Sequence, residues 1–303
     1  MTLFLQATYL SATLSLLYIF ALYRSHPFRR LSAIPTVEAF VAGMLAVVLV
    51  TLTRRILPIP SIESSAGALF AAAAIEEVAK LSLGLTAIWR LRFPTVIEPI
   101  DIAILFGVVG VGFGIYEDFW YIFSTSYPSW IAGDLGAFRE VFAGIVLARA
   151  LPGHILFNAI AGFLLGWAAM CRRTSERWTG VVAALGLAIL LHAGFNAIAI
   201  HGETPLLLAY VLLLVGVMVI LRRRAASRSP FAALIRYVEG EDRAWRLPHS
   251  PLEYLTAEGF DWPGKRRGGL FQFYPVILSL GVLFPLLLIG VYFTNRAIWS
   301  LAR

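Results

Sequence analysis

Glu76, Glu77 and Lys80 lie within little more than one helical turn of each other, in the middle of the apolar run Ser65–Trp89. Each ionisable side chain at the centre of a spanning helix costs roughly 2.5–3.5 kcal/mol before partners compensate, so intramembrane charge points to function. Spacings of three and four residues let all three share a broad helix face. A lysine can neutralise one glutamate and leave the other as a general base. The bland alternative is a structural ion pair bridging helices. Further on, Phe113, Glu117 and Tyr121 recur at every fourth residue, on one face. His154 is followed four residues later by Asn158, and His192 by Asn196, within a short repeat of the form H-x-x-F-N-A-I-A. Carboxylates, imidazoles and amides gathered at one level are what water activation requires. Two routes are open. His154, His192 and Glu117 can ligate zinc while Glu76 deprotonates the bound water. Alternatively, with no metal, Glu76 activates water with help from Glu117 or a histidine, and His192 with Asn196 stabilises an oxyanion. The chain has no HExxH, so the spacing does not force zinc.

These groups need a membrane scaffold. The chain has 303 residues, 59% of them hydrophobic and 14% charged, and its mean hydropathy is +0.78. That composition excludes an ordinary soluble domain and implies an all-α, polytopic membrane bundle. About eight spans are expected: Leu3–Tyr23, Val37–Leu57, Ser65–Trp89, Ile100–Ile122, Leu151–Met170, Trp178–Ile200, Pro205–Leu221 and Phe271–Phe293. Phe138–Ala150 reads as a short interfacial or re-entrant helix. The first span is too long, and lacks the basic flank, for a cleaved signal peptide. The chain reads as one membrane domain over 1–303, with a motif-bearing core at about 65–201 and a polar cytoplasmic insert at about 222–269.

The net charge of +7 reflects topology rather than nucleic-acid binding. With both termini outside, 18 basic residues fall on the inner side and six on the outer, and Lys80 makes up the 25, as the positive-inside rule favours. Glu76, Glu117, His154 and His192 then fall between the middle of the bilayer and its outer face. At about 1.5 Å rise per residue, the antiparallel repeat brings His154 near the depth of Asn196 and Asn158 near that of His192, which suggests crossed His–Asn levels. Gly107, Gly110, Gly112 and Gly114 in the fourth span read as a close-packing surface. Cys171 has no second cysteine to pair with and reads as a small interfacial residue.

In order, these motifs resemble the PrsW family of intramembrane proteases, within a wider group that includes the CAAX prenyl endopeptidases and bacteriocin-processing proteins. EExxK is matched by Glu76, Glu77 and Lys80, and FxxxE with a following tyrosine by Phe113, Glu117 and Tyr121. A histidine-led helix is matched at His154, and a final HxxxN at His192 and Asn196. Asp118 stands where asparagine is common, and Asn196 where PrsW resembles HxxxD. The resemblance spans roughly Ala71–Ala199. It implies peptide-bond hydrolysis near the outer half of the bilayer, a membrane-spanning substrate of the anti-sigma-factor kind, and a bacterial plasma membrane. On these expectations Glu76 is the base, Glu77 pairs with Lys80, Glu117, His154 and His192 bind metal or activate the carbonyl, and Phe113 and Asn158 support them. The rival readings are an ion- or proton-coupled transporter, a non-catalytic scaffold, and cytoplasmic-side processing of a prenylated protein.

Overall fold

A computed structural model describes residues 2–27, 33–57, 65–90, 98–149, 151–171, 173–201 and 204–229. The last expected span, Phe271–Phe293, and the insert from residue 230 onward lie outside the described residues. Within them the chain is all-helical: α1 (Thr2–Arg24), α2 (Ala33–Ile56), α3 (Ala66–Arg90), α4 (Pro99–Ile131), α5 (Leu135–Arg149), α6 (Gly153–Met170), α7 (Thr174–Ile200) and α8 (Thr204–Ser227). In lipid, helices satisfy every backbone polar group internally, and long apolar runs therefore become helices. Among the described residues, α1, α2, α4, α6, α7 and α8 are long and apolar enough to cross a membrane. Every 18-residue stretch of α3 contains Glu76, Glu77 and Lys80. Its place in the bundle therefore depends on partners for those charges.

The architecture is built around α4. Its residues Asp101 to Gly114 are all buried, and α6, α2 and α1 pack on its different sides. Helix α3 packs against α2 and α7, α7 against α6, and α8 against α6 and α7. The peripheral helices show apolar side chains to the lipid, such as Leu16, Leu17 and Phe20 on α1 and Leu212, Leu213 and Ile220 on α8. At 33 residues, α4 is about 50 Å long at 1.5 Å per residue, well beyond the ~30 Å hydrocarbon core. It runs nine residues past the expected end at Ile122. Trp120 and Tyr121 just before this extension and Tyr127 on it are exposed, the placement that amphipathic aromatic rings favour at a membrane interface. At the helix start Asp101 Oδ2 accepts the Glu98 N–H at 3.0 Å, and the Asp101 N–H donates to the Glu98 backbone carbonyl at 3.0 Å, which satisfies donors there.

Two glycine contacts set how close the helices come. A Cβ on Gly43 of α2 would overlap the Val109 carbonyl of α4, and one on Gly112 of α4 would overlap the Phe40 carbonyl of α2. The two backbones therefore cross in direct contact. At Gly110, a Cβ would lie 2.5 Å from the His154 carbonyl oxygen. The missing side chain at Gly110 is what allows the first turn of α6, with His154, to seat against α4.

Candidate metal centre

Five helices bring their polar groups to one buried cluster. Helix α3 supplies Glu76, Glu77 and Lys80, which are 3%, 2% and 0% exposed. Helix α4 supplies Phe113 and Glu117, α6 supplies His154, α7 supplies His192, and α2 adds Arg54.

The Lys80 ammonium donates to Glu77 Oε1 at 2.5 Å and to His154 Nδ1 at 3.1 Å. It also lies 4.3 Å from the centroid of the Phe113 ring, a cation–π contact that compensates part of its desolvation. An ammonium can only donate, so His154 Nδ1 accepts. The other nitrogen then carries the proton and donates to Glu117 Oε2 at 2.7 Å. Phe113 packs edge-on against the same imidazole, its centroid 5.1 Å away. Asn158 Nδ2 donates to the His154 carbonyl at 2.8 Å.

Glu77 has a second duty. His192 Nδ1 donates to Glu77 Oε1 at 2.8 Å, and Phe157 stacks on the His192 ring at 5.5 Å. Together these fix the orientation and tautomer of His192 and leave Nε2 with a bare lone pair. That lone pair faces Glu76 Oε2 at 3.6 Å. The Glu76 Oε2 atom is buried and has no hydrogen-bond partner among the described residues. Two acceptors thus face each other in a buried site, and a cation or a proton between them relieves the repulsion. The other Glu76 oxygen is held by Arg54 Nη2 at 2.5 Å.

One ligand atom each from Glu76, His154 and His192 lies within 4.8 Å of the other two. Two imidazoles and a carboxylate form a donor set typical of catalytic zinc, which keeps a fourth position open. With the orphaned Glu76 oxygen, this set fits a divalent metal, which would take the His154 Nδ1 lone pair in place of the Lys80 ammonium that holds it here. It differs by one residue from the trio expected from sequence: Glu76 takes the place of Glu117, and Glu117 stands behind His154 as its hydrogen-bond partner. Glu77 stands behind His192 in the same way, an arrangement common around metal-bound histidines.

None of the hydrogen bonds described above joins His154 to Asn196 or Asn158 to His192, the pairs whose levels the repeat was expected to cross. The His154 and His192 rings meet directly, edge to face at 4.8 Å. Asn158 turns back to its own helix, and Asn196, one turn along α7, joins none of the hydrogen bonds described above. Side chains reach about a helical turn along the axis, so equal Cα depth does not decide which ring meets which. Arg54 was not singled out in the sequence. Its signal there was only a basic pair at the end of an apolar run, which reads as an ordinary flank.

A cleft opens beside His154, lined by Ser15 and Tyr18 of α1, Gly110, Gly114 and Asp118 of α4, and Phe195 of α7. It gives the cluster an approach from the α1 side of the bundle.

Neither the curated proteins nor the solved structures yield a match to this chain. The family described as PrsW family intramembrane metalloprotease matches residues 26–221, more than half of the chain. That range holds all eight residues of the charged cluster and its supports, from Arg54 on α2 to His192 on α7. The chain is thus an integral membrane peptidase acting on a membrane-associated protein, and it belongs to the PrsW family of intramembrane metalloproteases.

Proposed function

We propose that this protein is a zinc-dependent endopeptidase that cuts a single-span, anti-sigma-factor-like protein near the outer half of a bacterial plasma membrane. The observation that carries the metal reading is the pair of facing acceptors, Glu76 Oε2 and His192 Nε2, 3.6 Å apart and buried. For the outer-half position the support is Arg54. It closes the end of α2 that the basic-residue distribution puts outside, and its half-exposed side chain reaches Glu76. The one-domain reading of the chain and the outward termini belong to the same proposal.

Glu76, His154 and His192 would hold the metal. When bound, it would supply Lewis acidity, polarising the scissile carbonyl and lowering the pKa of water. Glu117 is the proton carrier. Its carboxylate is the most accessible of the three, with the side chain 17% exposed against 4% and 1% for Glu76 and Glu77. Glu117 Oε2 takes a proton from the attacking water and returns it to the leaving amine. The roles assigned to Glu76 and Glu117 from spacing are thereby exchanged. Glu77 orients His192. Lys80 neutralises Glu77 and stays close enough to His154 to stabilise negative charge on the carbonyl oxygen.

The test uses purified protein in proteoliposomes with a panel of tagged single-span proteins, each assayed for fragment release, together with metal content. Wild type should release a fragment and contain metal. Glu117→Gln should keep the metal and lose cleavage, while Glu76→Gln should lose both. A Glu76→Gln protein that binds metal and cleaves normally would overturn the assignment. Cleavage by wild type that contains no metal would return the base role to Glu76.

A further inference from the structure

We propose a second divalent-cation site at the opposite end of the bundle, formed by His26, Glu98 and Asp101. His26 follows the end of α1, Glu98 caps α4, and Asp101 lies in the first turn of α4. The site is remote from the first: Glu98 and Glu117 are about 28 Å apart along α4 at 1.5 Å per residue. It does not depend on the proteolytic reading.

All three side chains are buried, His26 and Asp101 at 0% exposure and Glu98 at 1%. They converge on one point. His26 Nε2 is 3.1 Å from Asp101 Oδ1 and 3.5 Å from Glu98 Oε1, and one ligand atom from each of the three lies within 4.8 Å of the others. Metal–nitrogen and metal–oxygen bonds of about 2.0–2.1 Å in tetrahedral geometry separate neighbouring ligand atoms by about 3.3 Å. The two His26 separations bracket that value, so an ion can replace the shared proton with little movement.

Two carboxylates and a neutral imidazole bind a divalent ion as a charge-neutral complex, the form a desolvated site favours. One imidazole and two carboxylates suit zinc or manganese rather than an ion preferring thiolates. The framework is in place, since Asp101 Oδ2 already accepts the Glu98 N–H at 3.0 Å. Arg222 of α8 donates to the Ser25 carbonyl at 2.6 Å, beside His26. The ion would clip the end of α1 to the start of α4, the helix on which α1 packs.

The experiment strips the full-length protein with chelator, reloads it with Zn²⁺ or Co²⁺ and counts ions per chain. It uses wild type, His26→Ala, Glu98→Gln, Asp101→Asn and His192→Ala. The inner-site variants should each hold one ion fewer than wild type. Their residual affinity at that site should fall by more than about 100-fold, beyond the 10–100-fold typical of a supporting residue. The near-isosteric Glu98→Gln and Asp101→Asn serve where His26→Ala does not fold. Unchanged ion content in Glu98→Gln and Asp101→Asn would overturn the proposal and leave a proton-bridged helix cap. Loss of ions in His192→Ala alone would likewise overturn it while leaving the catalytic metal standing. Loss in the inner-site variants alone would uphold it and count against the metal at Glu76.

Discussion

Gly110→Ala tests whether the seating of α6 against α4 positions His154 for the proposed chemistry. The new Cβ would lie 2.5 Å from the His154 carbonyl oxygen, 2.8 Å from its carbonyl carbon and 3.1 Å from Ile155 Cα. Ordinary contact begins at 3.4 Å, so the first turn of α6 must retreat by about 0.9 Å. All three atoms are backbone, and no rotamer change can relieve the clash. Overpacking of this kind costs about 1–3 kcal/mol, more than the 0.5–1 kcal/mol by which alanine improves on glycine in a helix. A displacement near 1 Å in a reacting constellation costs about 100-fold in rate. Cleavage should therefore fall by about that factor while the protein still inserts. Gly114→Ala is the control, one turn along the same helix. Its Cβ would meet only His154 Cδ2, at 3.9 Å, so activity should stay within a few-fold and thermal stability should hold or rise. Fragment release in proteoliposomes and thermal unfolding in detergent read the two variants side by side. Wild-type cleavage by Gly110→Ala would refute the claim that this glycine sets the position of His154. Equal loss in both variants would show that the face tolerates no side chain at all and that the His154 carbonyl is not the reason.

Glu77→Gln leaves the fully buried Lys80 without its carboxylate and should destabilise the protein by about 3–5 kcal/mol, seen as a lowered unfolding temperature. Adding Lys80→Met should recover much of that stability without restoring cleavage, because a carboxamide no longer holds His192 in the Nδ1–H tautomer; a double variant as unstable as the single one would contradict the pairing. Arg54→Ala should lower stability by about 1–3 kcal/mol, because it strips the buried Glu76 carboxylate of a hydrogen bond. Its metal affinity should also drop about 10–100-fold, because the Glu76 carboxylate loses its orienting partner, and titration with Zn²⁺ measures this. Asn158→Ala removes a bond to the His154 carbonyl and should cost about 0.5–1.5 kcal/mol in an unfolding assay.

The helices were legible because a bilayer permits few alternatives. An apolar run long enough to span must become a helix, and α1, α2, α3, α6, α7 and α8 begin and end within a few residues of the expected spans, apart from the six residues by which α8 outruns Leu221 and the four by which α2 and α7 start early. The extension of α4 past Ile122 was not legible in the same way. Hydropathy falls where Glu117, Asp118 and the aromatic residues begin, although the helical backbone continues into the interface without interruption. Hydropathy reports the solvent around a segment rather than its conformation. The four glycines of α4 were read as a packing surface, and Gly110 and Gly112 do make backbone-to-backbone approaches. Which helix each would meet was beyond the sequence, since one face of α4 serves α2 and another serves α6.

The cluster shows where spacing stops being informative. The three-residue step from Glu77 to Lys80 and the four-residue step from Glu76 to Lys80 are both compatible with pairing on a helix, so the sequence left the two glutamates interchangeable. The deciding contacts come from other helices. Arg54, on α2, takes one oxygen of Glu76, and His192, on α7, takes Glu77 through Nδ1. Once Nδ1 is committed, Nε2 becomes an acceptor, and it faces the remaining oxygen of Glu76. The distinction between the glutamates is thus carried by the tautomer of a histidine more than a hundred residues away. That gives a direct discriminator. In a metal-loaded wild-type sample, nitrogen-labelled histidine should show His192 protonated at Nδ1 and coordinated at Nε2. In Glu77→Gln that preference should be lost, because a carboxamide can donate to Nδ1 as readily as accept from it. If His192 instead binds the ion through Nδ1, Glu77 and Glu76 exchange places as supporting residue and ligand, and the division of roles between them falls.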